Sequence, residues 1–221
     1  MKRLIARAAV CALLTGLSCA ALAGAQTFGL DGKPASQGAR ADWIAQARML
    51  ERRADWPGLL ALGQRWSQTE AGNPLAWFVQ GRALSALGRY GEATAAYAQN
   101  VRMAPDDVQA RNNLGNALRD SGRPQEAMLA YRTAAEIDPG YIQAWHNLGL
   151  TFYLTQGQAG VTRALDRLRA TDPRLAEVWR KLAVEYSVTR DARVADEAVR
   201  VLRGLSAAER TRMFDVLFDN P

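Results

Sequence analysis

The sequence predicts an all-α protein built as a linear array of helix–turn–helix repeats and closed by a C-terminal capping helix. Three observations carry this. Landmark residues recur at 34-residue steps: Pro105, Pro139 and Pro173; Gly81, Gly115 and Gly149; and Trp43, Trp77, Arg111, Trp145 and Trp179. Within one step, Leu114, Gly115 and Leu118 lie along one helical stripe, and Ala127, Tyr131 and Ala134 lie along a second. Between the stripes stand Ser121-Gly122, which break a helix, and Pro124, which a first helical turn tolerates; Pro139 ends the second helix.

Taken in order, residues 1–25 read as a signal peptide. Lys2, Arg3 and Arg7 precede a short apolar run from Ala8 to Ala20, and Ala21-Leu22-Ala23 and Ala23-Gly24-Ala25 both offer small-residue cleavage sites. The run is too short for a membrane span, so no integral span is expected after cleavage. Cys19 lacks the leucine three residues upstream that lipoprotein processing uses, so a soluble periplasmic or secreted product is favoured over a lipoprotein. Residues 26–41, with three glycines, a proline and no helical period, read as a flexible leader.

Five repeats follow. Residues 42–72 form a degenerate first unit, with Asp42 or a near neighbour as the helix cap and Gly63 where an aromatic is wanted. Residues 73–107 open on Asn73-Pro74, a cap and a first helical residue. Residues 108–141 are the most regular unit. In 142–175 the second helix carries Val161, Leu165, Gly157 and Gly160, and is expected to start late and pack less closely. Residues 176–205 are a divergent last unit. Residues 206–221 begin with the capping box Ser206-Ala-Ala-Glu209 and carry Met213, Phe214, Leu217 and Phe218, read as a lid on the open end of the stack.

This pattern resembles the tetratricopeptide repeat. Trp145-x2-Leu148-Gly149-x2-Phe152 matches the first half of its motif, and Ala93-x3-Tyr97…Pro105 and Ala127-x3-Tyr131…Pro139 match the second. Gln80 departs from it at a leucine position. The resemblance implies a right-handed superhelix whose first helices line a concave groove, and a shared activity of holding a peptide or another protein.

Composition narrows the function classes. The chain of 221 residues has a formal charge of +6, and losing Lys2, Arg3 and Arg7 cuts 28 Lys and Arg to 25 against 22 Asp and Glu, leaving +3. Both signs are interspersed, which describes a solvated helical surface rather than a nucleic-acid footprint. Both cysteines, Cys11 and Cys19, lie in the signal segment, so the mature chain offers no disulfide, thiol nucleophile or thiolate metal site. One histidine, His146, has no second ligand in sight, and no nucleophile, metal or phosphate-loop motif is present. The sequence therefore predicts a non-enzyme without cofactor or metal.

The candidate site follows from the resemblance, which places residues flanking the first-helix packing stripe in the groove. These are Arg82, then Gln109, Asn112, Asn113 and Asn116, then Gln143, His146 and Asn147, and at the far end Lys181. Amides can donate to and accept from an extended peptide backbone, and Arg82 and Lys181 can hold carboxylates. The same amides can instead bond neighbouring helices. A subset of the family grips C-terminal carboxylates with a lysine–asparagine–arginine clamp. Arg82, Asn113 and Asn147 stand near its places, but Phe78 and Gln143 occupy lysine positions, which argues against that ligand. A rival reading leaves the groove idle and makes the apolar last helix a self-association or membrane-surface contact.

Overall fold

The computed structural model describes residues 37–218, so the signal segment and most of the leader lie outside the described residues. Every regular element in them is helical: α1 (Gln37–Arg52), α2 (Trp56–Thr69), α3 (Pro74–Ala86), α4 (Tyr90–Met103), α5 (Val108–Asp120), α6 (Pro124–Ile137), α7 (Ile142–Thr171), α8 (Pro173–Trp179), a π-helical segment (Arg180–Glu185), α9 (Tyr186–Thr189), α10 (Ala192–Gly204) and α11 (Ala207–Phe218). Consecutive helices pack on one another, with α4 held between α3 and α5 and α6 between α5 and α7.

Local chemistry sets the boundaries. Asp55, Asn73, Asp107, Asp172 and Asp191 each accept a backbone N–H from the first turn of the following helix. Gly88 and Gly122, 34 residues apart, adopt φ of 73° and 82°, the left-handed conformation that lets each helix pair reverse. Helix α1 begins five residues before the expected Asp42, because Ala39, Arg40 and Ala41 are good helix formers and extend it N-terminally.

The fourth unit also differs from expectation. Its two helices form one element, α7, broken only at Gly157 (φ 65°, ψ −175°). Gly157 alone provides the reversal, so the second half starts in register with Pro124 rather than late. Val161, at the position of Ala127, is buried at 5% exposure.

Glycine spacing is explained by ring packing. A Cβ built at Gly81 would stand 2.7 Å from the Tyr97 ring, and one at Gly115 would stand 2.7 Å from Cδ1 of Tyr131. Gly149 faces Ala183 of the next unit instead, because Leu165 has replaced the aromatic of its own second helix. The departures in the first two units compensate one another. Gln80 donates from Nε2 to the Gly63 carbonyl at 3.1 Å, filling with an amide the space left by the absent aromatic.

The core runs as two connected clusters along the array, one from Ala47 to Ala117 and one from Leu118 to Leu217, with Leu114 packed against both. Such a core grows along an axis, each unit burying its neighbour. In the last unit, α8 starts early at Pro173, and the π-helical turn at Arg180–Glu185 absorbs the extra length while Trp179 stays buried in register.

The C-terminal helix caps the array from the side. Its capping box forms as expected: the Ser206 N–H donates to Glu209 Oε2 at 2.7 Å, and the Glu209 N–H donates to Ser206 Oγ at 3.2 Å. But α11 folds back onto α6 and α7 instead of lying across the terminal face. Phe214 stacks on Trp145 with centroids 5.2 Å apart, and the Arg132 guanidinium lies 5.2 Å from the Phe214 ring. Ion pairs fix the flanks, Arg174 to Glu209 at 2.7 Å and Arg132 to Asp215 at 3.5 Å.

Candidate functional site

The first helices present equivalent stripes along one side of the array. Spacing of four and three residues puts Gln109, Asn113 and Asn116 on one face of α5, and Gln143, Asn147 and Leu150 on the matching face of α7. α5 and α7 touch directly, so these stripes are neighbours.

The amides divide into two groups. Asn147 Nδ2 donates to Asn112 Oδ1 at 2.9 Å, bridging α7 to α5, and Asn112 is only 3% exposed. Asn116 Oδ1 accepts the Tyr131 hydroxyl at 2.8 Å, tying the first helix of the unit to its second. By contrast, Gln109, Asn113 and Gln143 are half-buried, and their side-chain amides have no partner among the described residues.

Two expectations are corrected. Asn112 and His146 turn into the packing between helices rather than into an open groove, because their Cβ directions follow the buried stripes. The end cations are also engaged within the chain. Arg82 Nε pairs with Glu51 Oε1 at 2.8 Å, while Lys181 pairs with Glu177 at 3.7 Å and with Glu197. Arg180 pairs with Glu177 at 2.8 Å and Glu185 at 2.9 Å. These two acidic partners were missed in the sequence because Glu51 comes from the preceding unit and Glu197 from the second helix of Lys181's own unit, sixteen residues on, so no local spacing announces them.

His146 packs edge-on against Tyr186, their rings 6.0 Å apart, beneath Arg190. Burial, with smaller contributions from Arg190 and Arg119, pushes its pKa down to about 4. In the unfolded chain it titrates near ~6.5. The folded value is the lower one, so its neutral form supports the fold above about pH 6.5, and that support is lost as pH falls towards 4. His146→Phe is expected to flatten this part of the stability–pH profile, read by denaturant titration at pH 7, 5.5 and 4.5.

Among the described residues no group of three or more His, Cys, Asp or Glu side chains is placed to hold a metal ion, and no helix is long and apolar enough to cross a membrane. Two clefts, of about 590 and 470 Å³, lie between second helices rather than along the first-helix stripes.

Residues 78–142 match the tetratricopeptide repeat family model, over the stretch where the glycine–tyrosine packing and the glycine turns repeat in register. Over these residues the chain carries tetratricopeptide repeats. The fold of this repeat protein is similar to that of MamA from Desulfovibrio magneticus RS-1 (residues 41 to the end), at 18% identity and a TM-score of 0.52, covering 81% of this chain and 98% of that one. A double mutant of MamA RS-1 gives 19% identity and the same TM-score, with the same coverage. A further MamA structure gives 17% and 0.51, covering 82% and 96%. At these identities the likeness is one of fold. A sequence comparison with curated proteins finds no match.

Proposed function

We propose that this repeat protein is a non-catalytic scaffold of the cell envelope that holds a peptide or protein partner against its first-helix face. The carrying observation is the strip of unengaged amides, Gln109, Asn113 and Gln143, on the adjoining faces of α5 and α7. An extended peptide backbone needs alternating donors and acceptors, and each amide supplies both. The basic, apolar and small-residue order of the first 25 residues supports export as the route to that compartment.

The arrangement predicts which amides serve binding and which serve folding. Replacing Gln109, Asn113 and Gln143 together with alanine is expected to weaken partner capture from envelope extract by one to three orders of magnitude, at about 0.5–1.5 kcal/mol per lost bond. Its melting temperature should be nearly unchanged. Asn147→Ala should behave in the opposite way, costing about 1–3 kcal/mol because the buried Asn112 carbonyl loses its donor. If the triple variant still captures its partner at full affinity, the strip is not the site. The rival reading through the last helix has less support, since Met213, Phe214 and Leu217 are buried within the chain.

A further inference from the structure

The site occupied by α11 recurs elsewhere in the array. Phe214 fills a groove with α6 and the second half of α7 as walls and Trp145 as floor. Two 34-residue steps earlier, the same positions form the 470 Å³ cleft between α2 and α4. There Trp77 stands for Trp145, Leu60 for Met128, Leu84 for Phe152 and Gln64 for Arg132. Trp145 is fully buried, whereas Trp77 is only partly buried and lines the cleft.

The intervening repeat cannot offer this floor. Arg111 takes the tryptophan position and donates from Nε to the Pro105 carbonyl at 2.8 Å, as the Trp145 indole donates to the Pro139 carbonyl at 3.1 Å. The arginine keeps that bond but presents no aromatic face. The Trp77 cleft is thus the open counterpart of a groove that the chain itself fills with a helix.

We infer that the cleft over Trp77 is a second docking site, on the second-helix side, for an amphipathic partner helix with an aromatic anchor and an acidic first turn. The chemistry is set by the occupant of the equivalent groove. In α11, Met213, Phe214 and Leu217 form the inserted stripe, and Glu209 in the first turn meets Arg174. The register position of Arg174 is held here by Asp106, and the cation at this end of the open cleft is instead Arg102, in the last turn of α4, exposed and without an ion-pair partner among the described residues. It complements an acidic first turn. The aromatic anchor would stack on Trp77 as Phe214 does on Trp145.

The chain's own helix provides the probe. A labelled peptide spanning residues 206–218 is titrated with the full-length protein, whose own α11 stays in place, and binding is read by fluorescence anisotropy. Saturable binding is expected, weakened roughly tenfold or more when Phe214 of the peptide is changed to alanine. On the protein, Trp77→Arg, which copies the arginine found at Arg111, should abolish binding. Gln64→Arg, which supplies the cation that Arg132 places over Phe214, should tighten it. Gln64 is exposed, so that variant tests the site without risk to the core. Absence of saturable binding would overturn the inference. So would binding indifferent to both protein variants, which would mean exchange with α11 on α6 and α7. A concentration-dependent dimer lost in Trp77→Arg would make the occupant a second copy's α11 and overturn the assignment to a partner. The peptide measurement is independent of the amide strip, so the two sites stand or fall separately.

Discussion

Phe214→Ala is expected to cost about 3–5 kcal/mol, the largest effect of any single truncation in the C-terminal region. The ring is fully buried, stacks on the fully buried Trp145, and carries the Arg132 guanidinium on its face. Removing it leaves a cavity over the tryptophan and uncouples α11. Because a repeat array unfolds in neighbouring units, the loss should appear as early detachment of α11, before the melt of α3 to α6. Limited proteolysis near Leu205 and Trp fluorescence during a denaturant titration read it directly. Truncation after Leu205 extends the same argument: it uncovers Trp145, Met128 and Phe152 as one apolar patch, and self-association should rise. The rival reading, in which α11 mediates assembly, requires self-association to fall. Light scattering of the truncated chain decides between them.

Gly115→Leu is expected to cost about 3 kcal/mol, at the upper end of what inserted bulk costs in a packed interior. Even a bare Cβ there would overlap the Tyr131 ring, itself fully buried and hydrogen-bonded to Asn116. The ring has no room to withdraw without breaking that bond. Gly91 provides the control. It lies on a helix with open space around the position of a Cβ, so Gly91→Ala should be neutral or stabilise by up to about 1 kcal/mol through helix propensity. Thermal melts of the pair separate close packing from any general effect of adding a side chain to a helix. A Gly115→Leu melt matching the parent would refute the packing register.

Repeat period, helix order and close-packing glycines were legible because they are local or nearest-neighbour properties. Gly115 and Tyr131 meet sixteen residues apart within one hairpin, and the turn glycine Gly122 needs only its own backbone to declare itself. The caps Asn73 and Ser206 were equally plain, since a cap is read over three or four residues. The candidate site was less legible. The sequence placed Gln109, Asn113 and Gln143 beside Asn112, Asn116 and Asn147 in one amide-rich strip, and could not divide them. Whether an amide is engaged depends on what the next helix brings to it: Asn112 meets Asn147 from 35 residues away, while the side-chain amide of Asn113, one residue on, has no hydrogen-bond partner among the described residues.

The sequence by itself determined that this protein is a stack of 34-residue helical hairpins with small residues at the helix crossings. Hydrophobic periodicity and turn chemistry suffice for that, because each unit repeats the same local solution. Tertiary structure alone decided that Arg82 and Lys181 are neutralised by Glu51 and Glu197, and that α11 lies over α6 and α7 instead of the terminal face. Those outcomes depend on how helices pack within a unit and on the angle at which units follow one another. That angle brings Trp145 within stacking distance of Phe214, 69 residues further along the chain, where no periodic signal reaches.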